Sequence, residues 1–177
     1  MKEICPKDMC TGCAACVNAC PRSCIEMHED KWGFINPIID ATRCVDCGLC
    51  EIICPSNNEA IEFSIPQKCY AAWSLDSHDR DTSTSGGIAS VLSTFVISEG
   101  GVVYGAVVCK GAEIQHIRVE SINDLYRLKG SKYVQSHITD VFKSVLADLK
   151  SGLKVLFTGT PCQVAGLKSF LKKPYPG

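Results

Sequence analysis

The sequence predicts an α+β chain in two parts, and three observations predict it. A cysteine string ending in Cys-Pro occurs twice before residue 56. Cysteine then becomes sparse beyond Pro66, and from there strand-like and helix-like apolar runs alternate. The expected division is a cysteine-rich module over 1–66 and an α/β domain over 67–177.

The first part rests on Cys10-x-x-Cys13-x-x-Cys16-x-x-x-Cys20-Pro21, which recurs 34 positions later as Cys44-x-x-Cys47-x-x-Cys50-x-x-x-Cys54-Pro55. Three thiolates at intervals of three wrap one corner of a cubane, and the fourth cysteine of each string reaches the other cluster. The spacing therefore predicts two [4Fe-4S] clusters in a two-cluster ferredoxin-like module. Cluster I takes Cys10, Cys13, Cys16 and Cys54, and cluster II takes Cys44, Cys47, Cys50 and Cys20. That exchange staples the two strings together, so metal binding and folding are coupled. Pro21 and Pro55 turn the chain away from the last ligand, while Gly12 and Gly48 leave room for backbone amides to approach sulfur. Paired zinc knuckles or incidental thiols would not require the same four-cysteine register twice. Cys5 and Cys24 lie outside the strings and read as small buried hydrophobes or spare thiols rather than ligands.

The flanks repeat too. Cys24-Ile25-Glu26-Met27 and Ala60-Ile61-Glu62-Phe63 alternate as short strands, and Lys31-Trp32-Gly33-Phe34-Ile35 supplies a turn and a return strand. Two hairpins related by pseudo-symmetry follow from this pattern.

Composition agrees with a globular chain: 177 residues, 46% hydrophobic and 21% charged. An odd count of 13 cysteines, no apolar leader and tight CxxC packing argue for metal ligation in a reducing compartment over a disulfide framework, so a cytoplasmic location is expected. The weakly polar run from Gly100 to Val108 is far short of the roughly 20 residues a membrane span needs. Net charge is −1, but the part up to Pro66 carries 5 basic and 10 acidic residues and the remainder 13 and 9. An acidic half that meets electron-transfer partners and a basic half suited to an anionic ligand is one reading, ordinary solvated faces the other. No nucleic-acid motif with interleaved aromatics occurs.

In the second part, Cys69 to Leu75 reads as a strand and Asp76 to Ser85 as a loop. Gly86-Gly87 opens an apolar helix through about Ser98, which Gly100-Gly101 ends. Val102 to Cys109 and Ile114 to Val119 are β-branched strands. Ser121-Ile122-Asn123-Asp124 resembles a capping box opening a short helix. Ile138 to Leu149 is amphipathic, Leu153 to Phe157 a buried strand, and Pro161 to Leu171 a last helix. This alternation predicts a mostly parallel sheet with helices packed on it.

Two strand-to-helix junctions could carry chemistry. Ser83-Thr84-Ser85-Gly86-Gly87 could face a phosphate at a positive helix end, and Thr158-Gly159-Thr160-Pro161-Cys162-Gln163 opens the last helix in the same way. Neither is a dinucleotide fingerprint or a P-loop, and each taken alone is more often an ordinary capped turn. Arg127, Lys129 and Lys132 cluster around Gly130 beside Tyr133 and Gln135, either as a phosphate clamp or as a solvated basic loop.

Taken together, Thr84-Ser85-Gly86-Gly87-Ile88-Ala89, Gly101 to Ala106, Lys129 to Ser136 and Phe157 to Gln163, behind the cysteine module, resemble the beta-subunit family of coenzyme F(420) hydrogenases and dehydrogenases, which are iron-sulfur flavoproteins. The resemblance implies FAD as a second cofactor, with electrons moving between clusters, flavin and a deazaflavin or other acceptor. It further implies that Ser85, Gly86, Gly87, Lys132 and the loop Thr158, Gly159, Thr160, Pro161, Cys162 and Gln163 line the flavin pocket. Cys162 keeps three readings: ligand of a further cluster, thiol near the flavin, or core residue. Relatives continue past the equivalent of Gly177, so a redox partner protein or a missing C-terminal portion is expected to complete the site.

Two functions stay open at this point. One is an oxidoreductase subunit in which flavin links single-electron to two-electron chemistry. The other is a non-enzymatic ferredoxin-like carrier whose α/β half docks a partner redox enzyme.

Overall fold

A computed structural model describes residues 3–58 and 65–176. In chain order the helices are α1 (Ala15–Ala19), α2 (Leu49–Ile52), α3 (Ser77–Asp81), α4 (Ile88–Ser98), α5 (Val141–Lys150) and α6 (Pro161–Leu171). The strands are β1 (Ile25–Glu29), β2 (Ile35–Ile39), β3 (Val102–Val108), β4 (Ile114–Val119) and β5 (Val155–Phe157). Helices occur beside one antiparallel and one mixed sheet, so the class is α+β. The expected strand Ala60–Phe63, and with it the second hairpin, lies outside the described residues.

The chain forms two compact units. The first comprises Met1–Glu62, Ile138–Leu146 and Gly159–Pro174, and the second Phe63–His137, Ala147–Thr158 and Tyr175–Gly177. They interleave along the chain. The start of α5 and all of α6, which patterning groups with the α/β part, belong by contacts to the first unit.

In the first unit, β1 and β2 pair antiparallel from Ile25↔Ile39 to Glu29↔Ile35. Asp30 shapes their turn by accepting the amides of Trp32 and Phe34 on Oδ1. The core here is largely sulfur: Cys16, Cys20, Cys24 and Cys54 are buried together with Ile4 and Ile25. Apolar closure comes from α5 and α6, where Phe142 is fully buried and its ring lies 6.1 Å from that of Phe170. Asn18 on α1 ties these pieces together. Its Nδ2 donates to Ala14 O at 3.0 Å and Thr139 O at 2.8 Å, and its Oδ1 accepts from Lys143 N at 3.3 Å. Helix α5 consequently starts at Val141 rather than at Ile138: Ile138 is buried ahead of the helix, and Thr139 takes a left-handed backbone with its carbonyl committed to Asn18.

In the second unit, β3 lies at the centre of a three-stranded sheet of order β4-β3-β5. The expected mostly parallel sheet is corrected to a mixed one, with β3 antiparallel to β4 and parallel to β5. The physical reason is the link between β3 and β4, Cys109 to Glu113, which is too short for the crossover a parallel pair requires. Val103 and Tyr104 are fully buried on β3, and Tyr104 Oη donates to Asp148 Oδ2 at 2.6 Å. The stretch 69–75, expected as a strand, is irregular: Tyr70 and Leu75 are exposed, and within it Ser74 N donates to Gly86 O at 2.6 Å in place of a ladder. The expected loop 76–85 contains α3, capped by Asp76, whose carboxylate accepts from Asp79 N. Ser121 accepts from Asn123 N and opens a 3₁₀ helix, Ile122–Leu128, so the expected box with Asp124 is replaced by a local serine turn. Among the described residues no helix is long and apolar enough to cross a membrane.

Candidate metal centres and a second cavity

The repeated strings have a repeated backbone. Cys20 and Cys54 are both extended, at φ −70°, ψ 113° and φ −66°, ψ 120°. Ala14 and Gly48 occupy equivalent places, and both are left-handed caps that start α1 and α2. Gly12 and Asp46 are a second equivalent left-handed pair. Each string thus needs two positive-φ positions although it carries one glycine. A non-glycine residue held there costs on the order of 1 kcal/mol, a strain that persists where surrounding structure demands it.

These turns direct the thiols into two cavities. The first, about 330 Å³ counting space open to solvent, is lined by Cys10, Cys13, Cys16 and Cys54. The second, about 370 Å³, is lined by Cys20, Cys44, Cys47 and Cys50. In each, one thiol comes from the opposite string, as the exchange of fourth ligands requires. Among the described residues no three His, Cys, Asp or Glu side chains converge on a point suited to one ion. Four string thiols in each wall are the donor set that a [4Fe-4S] cluster takes.

Each cavity also holds a fifth thiol. Cys5 lines the first, and Cys24 the second, where its Sγ is 3.4 Å from that of Cys20. Burial and then the neighbouring Cys54 and Cys10 push the Cys5 thiol up to about 12. The hydrogen bond with Cys20, followed by burial, pushes Cys24 up to about 11. Burial also raises Cys13 and Cys16. Burial would raise Cys20 as well, but the amide and thiol of Cys24 and the amides of Arg22 and Ser23 outweigh it and leave that thiol lowered. Metal binding by these thiols would release protons, and Cys20 is the thiol held below its ordinary value. The two sites differ in wetness: Cys13, Cys16 and Cys54 are buried in the first, whereas Cys47 is exposed in the second.

Helix α6 lies against the first site. A β-carbon placed on Gly166 would be 3.1 Å from Cys13 Sγ. The same helix opens with a capping box in which Thr160 and Gln163 exchange bonds, Thr160 N donating to Gln163 Oε1 at 3.0 Å. Cys162, half-buried in the first turn, has its Sγ 3.1 Å from Thr160 Oγ1, and its proximity is among the causes that raise Cys13. No spacing rule could have announced that approach, since 149 positions separate Cys13 from Cys162.

The second unit holds a separate cavity of about 760 Å³ including space open to solvent. It is lined by Ser83, Thr84, Ser85, Gly87, Ala89, Ser90, Ser93, Leu125, Leu128, Lys129, Gly130, Ser131 and Thr158. Of the residues implicated by resemblance, Ser85, Gly87 and Thr158 line it. Gly86 instead packs against the chain at Ala72 and Trp73, where a β-carbon would meet Ala72 O at 2.6 Å. Lys132 is not in the wall either; its ammonium donates to Leu128 O at 2.9 Å and Lys129 O at 2.7 Å, closing the 3₁₀ turn. The lysine in the wall is Lys129. Gly159 to Gln163 belong to the first unit, and only Thr158 of that loop lines the cavity. His116 sets the position of Thr158. Its Nε2–H donates to Thr158 O at 2.8 Å, so Nδ1 accepts from Ser136 Oγ at 2.9 Å, and the ring stacks on Phe157. Sequence reading passed over His116 because a lone histidine in a β-branched strand gives no signal of its partners.

Residues 9–58 match the 4Fe-4S dicluster domain family. The chain is 26% identical to the coenzyme F(420)-dependent sulfite reductase of Methanocaldococcus jannaschii over 99% of its own length, and spans 27% of that protein. It is 38% identical over 55 residues to the 7Fe ferredoxin of Hydrogenibacillus schlegelii, covering 31% of this chain and 64% of the ferredoxin. It is also 38% identical over 56 residues to an uncharacterised ferredoxin of Methanocaldococcus jannaschii, covering 30% of this chain and 84% of the relative.

Proposed function

The chain belongs, through residues 9–58, to the 4Fe-4S dicluster ferredoxins and is an iron-sulfur electron-transfer protein; on that premise we propose that it is an oxidoreductase subunit passing electrons between two [4Fe-4S] clusters, FAD and a deazaflavin or other acceptor. The observation that carries this reading is the extent of the similarity to the sulfite reductase, which covers 99% of the chain and therefore includes the half behind the cysteine strings. The beta-subunit family of coenzyme F(420) hydrogenases and dehydrogenases is the finer assignment we propose, with a ferredoxin-type domain over 1–66 and a flavin-binding-type domain over 67–177.

In this reading Cys10, Cys13, Cys16 and Cys54 hold one cluster, and Cys20, Cys44, Cys47 and Cys50 hold the other. When bound, the clusters carry electrons singly and a flavin couples them to two-electron chemistry. The protein's part is placement. Left-handed turns at Ala14 and Gly48 aim the thiols, the amides of Arg22, Ser23 and Cys24 stabilise the Cys20 thiolate, and buried Cys13 and Cys16 are shielded from water. The flavin is proposed to enter the cavity walled by Ser85, Gly87, Lys129 and Thr158. Lys132 then acts by holding the turn that presents Lys129 and Gly130.

A carrier role has one observation in its favour. A groove of about 1130 Å³, counting open space, runs beside Cys5 and Cys10 and is edged by Glu3, Glu29 and Asp30 against a single Lys7. A redox partner with a basic face could reach the first site there. Anaerobic purification with iron, sulfide and flavin quantified together separates the readings. About eight irons with FAD supports the flavoprotein, on four irons per cluster. About eight irons with no flavin, even after incubation with FAD, leaves the carrier.

A further inference from the structure

The cavity of the second unit differs from a phosphate site in one respect, which is where its charges go. A turn of serines and glycine ahead of α4, with a lysine in the wall, is the arrangement expected to receive an anion at a positive helix end. The protein fills that role itself. Asp79, on α3, places its carboxylate at the start of α4. Oδ1 accepts from Ser90 Oγ at 2.6 Å, and Oδ2 would lie 3.2 Å from a β-carbon on Gly87, the residue that caps the helix.

The same carboxylate takes the cation. A lysine ammonium has three donors. Those of Lys129 go to Asp79 Oδ1 at 2.6 Å, Thr82 Oγ1 at 2.7 Å and Asp79 O at 3.4 Å. Both members of the pair are mostly shielded, with side-chain exposures of 21% and 19%. A phosphate entering here would meet a lysine whose donors are committed and a helix end that already has its negative charge. The remaining wall carries no charge: Ser83, Ser85 and Thr158 line it together with apolar Leu125 and Leu128. Ser131 N donates to Thr84 Oγ1 at 3.1 Å and joins the two loops that frame the opening.

We propose that this cavity takes an uncharged, ring- and hydroxyl-bearing ligand segment, the riboflavin portion of a flavin, with any phosphates outside it, and that Asp79 is the positioning residue that sets this preference. The inference rests on the flavoprotein reading and narrows it.

The test titrates the intact, cluster-loaded chain with riboflavin, FMN and FAD, following flavin fluorescence. Riboflavin and FMN are expected to bind within about threefold of each other. Asp79→Asn is expected to shift the FMN-to-riboflavin ratio toward FMN by at least about fivefold, the effect of removing one like charge at short range in a wet site. A preference for FMN above about tenfold in the unaltered chain overturns the inference while leaving the flavoprotein reading standing. The comparison of ligands on the unaltered chain holds whether or not the variant folds. An unchanged ratio in a folded Asp79→Asn protein overturns the role of Asp79. Failure of all three flavins to bind overturns the flavoprotein reading, and this inference with it.

Discussion

Gly166 offers a direct test of how α6 meets the first cluster site. A glycine inside a helix costs about 1 kcal/mol relative to alanine, so its presence in the middle of α6 needs a reason. The reason is space: a β-carbon there would lie 3.1 Å from both Cβ and Sγ of Cys13 and 3.4 Å from Phe142 Cε2. Relaxed contacts between such atoms lie nearer ~3.5–4 Å. Gly166→Ala regains about 1 kcal/mol of helix propensity and adds overpacking of about 1–3 kcal/mol, a net cost of about 0–2 kcal/mol. Because Cys13 and α6 cannot both keep their places, much of that strain falls on Cys13, a proposed cluster ligand. The alanine variant is expected to keep about eight irons per chain but to shift the EPR spectrum and potential of one cluster only. Gly166→Leu, with three further heavy atoms and no room, is expected to fall toward about four irons, the content of one cluster. Lys168→Ala, an exposed site on the same helix, serves as the control and is expected to change neither. Gly166→Leu protein with full iron and two unshifted signals would refute the packing of α6 on Cys13.

Other expectations follow from the same geometry. Asn18→Ala strands Thr139 O, leaves Lys143 N with only its bond to Asp140 O, and is expected to lower stability by about 1–3 kcal/mol in denaturant unfolding, with Asn18→Asp recovering only part, since it lacks the Nδ2 donors. Cys5→Ala and Cys24→Ala are each expected to retain about eight irons, because each cavity already has four string thiols; loss of about four irons in either would make that residue a ligand. His116 titrates below its ordinary value because burial disfavours the imidazolium, although the bond to Thr158 opposes this. Below about pH 6.5 the unfolded chain therefore binds a proton that the folded chain refuses, so stability falls as pH drops from that point. Unfolding midpoints measured across pH 5–8 are expected to lose this slope in His116→Gln, and an equal slope in the variant would exclude His116 as its source.

What the sequence determined by itself was whatever depends on local spacing. Two strings in identical register prescribed which thiols share a cavity, and helices α4 and α6 began where glycine and proline said they would. Those features are short-range: ligand geometry, caps and turn residues act within a few positions of the chain. The strand assigned to residues 69–75 failed because alternation reports only a half-buried periodicity, and a strand also needs a neighbour to bond. The sheet came out mixed because a five-residue link decides direction, whatever the order of elements suggests.

Only the tertiary structure decided which residues meet across long separations. Asp79 neutralises Lys129 from 50 positions away, Asn18 caps the start of α5, and Gly166 opens room for Cys13. Each is a pairing of ordinary residues whose meaning lies in the partner. Charge and hydrogen bonding depend on distance in space, and the sequence carries that distance only through the fold. The sequence therefore singled out the eight thiols proposed to hold the clusters, while the fold determined that the cavity of the second unit supplies its own anion.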